Sequence, residues 1–219
     1  MSIVVKKSGD QDVPSNYEKC SKAEAIQHQW GIISTWTPKW DVWPFHQGLG
    51  VLAMTGAISG GMIASYIRLK LGLRHFGRMA MLLPTMGVPG AFCPILNIKL
   101  VGEPVMIQSE CPVCLQMRSM LIQNIMGIGY PIVMASGTGI HLAERYATYR
   151  LPEFSLRAIP QFVNIARNLF APYKNSIIAL AIINTLIAGF ITDRQANSIF
   201  TIARKLEEEE EEPDGRTWK

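Results

Sequence analysis

Cysteine and charge are the two scarce components of this 219-residue chain: four cysteines, and 17% charged residues against 48% hydrophobic ones. Four cysteines in a chain of this length do not make a disulfide framework. A C-x-x-C pair occurs once, at Cys111 and Cys114, and with no second pair the chain lacks the four-ligand spacing of a structural zinc site. The opening MSIVVKKSGDQDVPSNYEKC has no apolar core of a secretory signal. Its Asp10, Asp12 and Glu18, with no arginine, argue against a cleaved mitochondrial presequence, so any organelle targeting is expected to be internal. Charge is also uneven. It crowds into residues 1–44, 66–78, 144–174 and the last 27, and with Lys99, Glu103, Glu110 and Arg118 dividing 79–143 it leaves four apolar stretches.

Uncharged blocks of that length predict membrane crossings. From Leu121 to Ile140 there are 20 residues without a formal charge. At about 1.5 Å rise per helical residue they cover roughly 30 Å, the hydrocarbon thickness of a bilayer. Phe45–Ile67, Met79–Ile98 and Ser176–Thr192 are the other three candidates. The expected fold is therefore all-α: four transmembrane helices in a bundle, with a polar, Trp-rich extension over 1–44, the membrane domain over 45–192 and a polar, acidic tail over 193–219.

Local chemistry refines this. Ser21 and Glu24 stand at capping-box spacing ahead of a short helix. Trp30, Trp36, Trp40 and Trp43 follow, and indoles at a membrane boundary read as an interfacial collar, with packing inside a small cap as the alternative. Gly56 and Gly60 form G-x-x-x-G, a spacing that lets two helix backbones approach closely. Arg68, Lys70, Arg74 and Arg78 read as a solvated, orientation-setting loop. Pro84, Pro89 and Pro94 predict a kinked second span, since each removes a backbone donor, with a re-entrant segment as runner-up. KLVGEPVMIQSE then reads as a loop.

Cys111 and Cys114 precede a helix, and Arg118 lies one turn beyond Cys114. A helix N-terminus and a nearby cation both favour thiolate. The pair reads as a disulfide or redox-responsive couple, as inert thiols, or, least favoured, as a metal site. Phe154, Ala158, Phe162, Ile165 and Leu169 lie at near-helical spacing and predict an amphipathic surface helix. Glu207–Glu212 reads as a solvated, disordered tail. Four crossings put both termini and the cysteine pair on one side. The other side carries Arg68, Lys70, Arg74, Arg78, Arg145, Arg150, Arg157, Arg167 and Lys174 against Glu144 and Glu153. The positive-inside rule assigns that side to matrix or cytosol.

Taken in order, Leu83-Pro84-x-x-Gly87-Val88-Pro89, Cys111-x-x-Cys114, Arg118, Gly129-Tyr130-Pro131, Leu142-Ala143-x-Arg145-Tyr146 and Leu151-Pro152 resemble the transmembrane protein 126 family over roughly residues 47–200. The Trp-rich stretch and the glutamate run lie outside that pattern. The resemblance implies a multi-pass protein of the mitochondrial inner membrane, for which the charge asymmetry above sets the termini and cysteine loop on the intermembrane side. It further implies an assembly factor for the membrane arm of respiratory complex I, with other assembly factors and membrane-arm subunits as partners. It brings no catalytic residues, cofactor, metal, nucleic acid or small-molecule substrate. The helix faces around Gly56, Gly60, Ala135 and Gly139 are the expected contact surfaces. A transporter or channel, an accessory subunit of a respiratory complex, and a thiol oxidoreductase centred on Cys111 and Cys114 are the alternatives.

Overall fold

Residues 21–73, 76–108, 110–146, 167 and 170–211 are described by the computed structural model. The elements are α1 (Lys22–Thr35), α2 (Trp43–Lys70), α3 (Arg78–Asn97), a π-turn segment (Ile98–Gly102), α4 (Glu103–Ile107), α5 (Pro112–Asn124), a second π-turn segment (Ile125–Gly129), α6 (Tyr130–Arg145) and α7 (Lys174–Glu211). No strand occurs among the described residues. The predicted surface helix over Phe154, Ala158, Phe162, Ile165 and Leu169 lies outside them.

Four helical rods have the length and apolarity to cross a bilayer: Trp43–Lys70, Arg78–Ile107, Pro112–Arg145 and Ala171–Leu206. The fold is thus the expected all-α membrane bundle. The rods outlast the uncharged blocks that announce them. KLVGEPVMIQSE is helical to Ile107, not a loop; the π segment Ile98–Gly102 carries α3 into α4, and Lys99 pairs with Glu103 one turn on at 2.6 Å. Its π turn closes with Glu103 N–H donating to the Ile98 carbonyl. The predicted kinked span is therefore one continuous rod, with Pro84, Pro89 and Pro94 all inside α3. The second π turn closes between Tyr130 N–H and the Ile125 carbonyl just before Pro131, which has no N–H to give to Gly127. The extra residue re-aims the rod: α5 packs mainly on α7, while α6 packs on α2 and α3.

Helix α7 also runs on, through Thr192 into the expected tail. Gln195, Ile199 and Ile202 recur at helical spacing and are buried, so packing carries the helix past the point where its apolar run ends. The glutamates expected to be disordered are helical as far as Glu211, with Arg204 within 3.6 Å of Glu208. Thirty-eight residues make a rod of roughly 57 Å at about 1.5 Å per residue, well beyond a bilayer's hydrocarbon.

The two ends differ. At one, α1 folds over the bundle as a cap, held by the predicted capping box: Ser21 N–H donates to Glu24 Oε2 at 2.7 Å and Ala23 N–H to Ser21 Oγ at 3.3 Å. Ile33, Val42, Phe45, Val105, Leu115 and Ile202 form its core. Trp30 packs edge-on against Phe45, Trp36 joins the same core and Trp43 packs beside Leu52. Of the four, Trp40 alone is strongly exposed; Trp30 and Trp36 pack in the cap, and half-buried Trp43 packs at the start of α2 against α7.

At the far end the connector expected to be solvated is so at Lys70 and Arg78, which are exposed, but not at Arg68; Arg74 lies outside the described residues. Leu71 and Leu73 are buried, and the Arg68 guanidinium, itself buried, donates to the Phe76 carbonyl at 3.1 Å. Gly77 sits at φ +57° with Leu142 where a side chain would be, a position only glycine fills without strain.

Candidate functional site

Near the middle of the bundle, α2, α5 and α7 are tied by uncharged polar side chains. Gln123 Nε2 on α5 donates to the Leu52 carbonyl (3.1 Å), Thr55 Oγ1 (2.9 Å) and Asn184 Oδ1 (3.2 Å). Asn184 Nδ2 on α7 donates to Ser59 Oγ on α2 at 2.9 Å and to its own Leu180 carbonyl at 3.0 Å. Beside them, Asn124 Nδ2 donates to Thr185 Oγ1 at 2.8 Å. Gly127 of the second π turn would meet both Asn184 and Gly56 if it bore a side chain, so the turn lies against this cluster. Nothing here titrates near neutral pH. The cluster does no acid–base chemistry; it fixes how three helices face each other where water cannot substitute for a lost partner.

The sequence held a signal for these residues that a search for charge passes over. Gln123 and Asn124 interrupt MLIQNIMGI, Asn184 interrupts LAIINTLIA, and Asn97 closes the proline-rich span. Asn97 is also buried and donates to Ser119 Oγ at 2.7 Å. An amide inside an apolar run is strongly unfavourable if left unpaired, which makes each one a pointer to a partner helix.

The four predicted contact residues have partners within the chain. A Cβ at Gly56 would meet Cys93 Sγ at 3.0 Å and Gln123 Nε2 at 3.6 Å; one at Gly60 would run into the Thr85 carbonyl. At Gly139 it would reach Ile67 at 2.9 Å and Leu71 at 3.0 Å, and Ala135 is fully buried. Close helix approach is what these residues serve, but inside the bundle, where they offer no surface to another protein.

Cys111 and Cys114 sit at the cap end, exposed and unbonded. Cys111 is the N-cap of α5, in extended conformation. The backbone of Cys114 and then of Val113 at the start of α5 draws the Cys111 pKa below the ordinary thiol range, although its side chain makes no capping hydrogen bond; Cys114 is pushed the other way, by Cys111 first. The expected help from Arg118 is not part of that stabilisation. Its guanidinium is engaged by Glu110 at 2.8 Å and by the Leu100 carbonyl at 2.9 Å. Among the described residues no three His, Cys, Asp or Glu converge as a metal would need.

The cap is fastened to α7 by one buried-edge ion pair. Lys205 Nζ donates to Asp41 Oδ2, which also accepts from Trp36 Nε1 at 3.2 Å. The Lys205 bond first, then the indole, holds the Asp41 carboxyl below its usual range. The stabilisation is present above the unfolded value of about 4 and is lost as pH falls through the lower folded one. Intrinsic fluorescence of the cap is expected to be flat at neutral and mildly acidic pH and to change only below about pH 4. In Asp41→Asn that transition should vanish; its persistence would assign the acid response elsewhere.

Compared with known proteins, residues 29–210 match the family model described as Transmembrane protein 126. A Drosophila melanogaster protein named Transmembrane protein 126 is 28% identical over 199 residues, spanning 90% of this chain and 89% of that protein. No solved structure matches.

Proposed function

The chain belongs to the transmembrane protein 126 family, and from that premise we infer that it is a non-enzymatic assembly factor for the membrane arm of respiratory complex I, resident in the mitochondrial inner membrane. The reading draws on the family resemblance and on one structural observation, the uneven coverage of the spans. In the most apolar window of α2, 50% is buried within the chain; in that of the α3–α4 rod only 22% is. Leu83, Met86, Phe92 and Ile95 all face outward there. Lipid covers such a face until a membrane-arm subunit's helix replaces it, and because lipid and helix are equally apolar the exchange is reversible. A factor that must leave needs that reversibility.

The bundle supports the role by making its close helix contacts within itself. Its close-approach glycines pack against its own helices and its buried amide N–H groups donate within the chain, although the oxygens of Asn97, Asn124 and Gln195 accept from nothing among the described residues. Lys70, Arg78 and Arg145 at the far end favour the matrix for that end, and hence the intermembrane side for the cap and the cysteines.

The test is native gel electrophoresis of detergent-solubilised mitochondria. The protein is expected to co-migrate with complex I membrane-arm intermediates, and its loss to make the later ones disappear. Complete, normal complex I in cells lacking the chain would defeat the proposal. Protease added outside the inner membrane should digest a terminal tag; protection would reverse the orientation.

A further inference from the structure

The end of the bundle opposite the cap gathers positive charge from three separate segments. Arg68 lies in the last turn of α2, and its buried guanidinium reaches across to the Phe76 carbonyl. Phe76 in turn stacks on Tyr146 just past α6, with ring centroids 4.8 Å apart. Gly77 packs on Leu142, and α3 starts at the next residue, Arg78. The ends of α2 and α6 and the start of α3 are thereby drawn together, and with them Lys70, Arg78 and Arg145, all exposed. Arg78 lies close enough to Arg68 for the two positive charges to oppose each other. Against Arg68, Lys70, Arg78 and Arg145, the segments 68–73, 76–78 and 141–146 hold a single acid, Glu144. None of Lys70, Arg78 and Arg145 is in an ion pair among the described residues.

Charge by itself does no more than orient the chain. Two further features make a seat of this end. Aromatic rings stand at its edge: besides Phe76 and Tyr146, Tyr66, one turn before Lys70, stacks face to face on Tyr173 at 4.4 Å and ties α2 to the start of α7. Rings with a polar tip belong at the boundary between headgroups and hydrocarbon. Next to the cations, moreover, the helices are bare. Met79 and Leu83, one turn apart on α3, are 70% and 68% exposed, and Leu69 on α2 is 73% exposed. A cationic region continuous with apolar surface matches a molecule that is anionic at one end and hydrocarbon at the other. A free phosphate would engage the cations and leave the apolar surface uncovered.

We propose that the ends of α2, α3 and α6 form a seat for one anionic phospholipid, its headgroup phosphate held by Lys70, Arg78 and Arg145 and its acyl chains lying along Met79 and Leu83. Arginine suits the headgroup contact because its planar fork meets two phosphate oxygens at once. Arg68 is a positioning residue: its head is engaged by Phe76, and it holds the connector where Arg78 and Arg145 come together. The seat does not rest on the assembly reading, and either can fail without the other.

The experiment uses the delipidated full chain in a neutral detergent. It is titrated with phosphatidylglycerol, with phosphatidylcholine of the same acyl chains and with glycerol phosphate, and bound lipid is counted by native mass spectrometry. The wild type should retain one phosphatidylglycerol at a concentration at least tenfold below that needed for phosphatidylcholine, and millimolar glycerol phosphate should not displace it. Arg78→Gln and Arg145→Gln should each weaken phosphatidylglycerol about fivefold, the effect of one cation close to a headgroup, and leave phosphatidylcholine unchanged. Lys22→Gln, which removes an exposed charge at the cap end, should change neither, and Met79→Gln should weaken both. Equal retention of the two lipids by the wild type would overturn the seat, as would arginine variants that bind no differently from Lys22→Gln. Displacement by glycerol phosphate would overturn the assignment to lipid. Arg78 and Arg145 are exposed, so their replacement should leave the thermal midpoint in detergent unchanged, and the comparison of the two lipids on the wild type needs no variant.

Discussion

Replacing Gly60 by alanine is expected to cost about 3 kcal/mol, at the top of the range for overpacking a core, while the same change at Gly50 is expected to be neutral or stabilising. The two glycines lie in one helix and differ in what surrounds them. At Gly50 nothing lies within 4 Å of an added methyl, and relief of helical glycine is worth up to about 1 kcal/mol. At Gly60 the methyl would occupy the place of the Thr85 carbonyl oxygen, which is backbone and cannot rotate away. That carbonyl is also special: residue 89 is proline, so its usual donor four residues on is missing. The bare Cα of Gly60 supplies a close C–H contact in its place. At roughly 2–4 °C per kcal/mol for a chain of this size, the thermal midpoint in detergent should fall by about 10 °C for Gly60→Ala. Equal midpoints for the two variants would mean that α2 and α3 are not so closely apposed.

Gly60 also marks the boundary between what the sequence discloses and what it hides. The G-x-x-x-G spacing announces a close helix contact, and the four uncharged blocks announce four rods. Neither says that the partner of Gly60 is a carbonyl loosened by Pro89, because that pairing joins segments 25 to 29 positions apart through a fold the spacing alone does not contain. Rod ends were hidden for a different reason. An apolar run stops where the hydrocarbon stops, whereas a helix stops where its backbone is no longer supported. Gln195, Ile199 and Ile202 keep α7 packed beyond Thr192, and a π turn bridges what reads as the end of α3 at Ile98. Arg68 misleads in the same way. A cation after an apolar run reads as solvated, yet its long stem lets it stay buried while its head donates to Phe76. At the candidate site, the cysteines were visible by residue type alone; the amides were visible only to someone counting unpaired polar groups in apolar runs.

Those amides supply the second large effect. Asn184→Leu should destabilise the bundle by about 2 kcal/mol, since Ser59 loses its donor and Gln123 loses one of three acceptors in a place water does not reach. Gln123→Leu should cost a similar amount by leaving Asn184 Oδ1 and the Thr55 hydroxyl without the donor they share, while the Leu52 carbonyl keeps only the Thr55 hydroxyl of its two side-chain donors. Together the two changes should cost less than their sum by about 1 kcal/mol, since the double variant leaves neither amide facing an absent partner and couplings of this kind within membranes run from about 0.6 to 1.7. Strict additivity would show two independent bonds rather than one cluster. The functional consequence follows from position. Gln123 stands two residues before the π turn that divides the rod between α5 on α7 and α6 on α2 and α3. Loosening it frees α5 to rotate against α7 at the point where the rod changes neighbours.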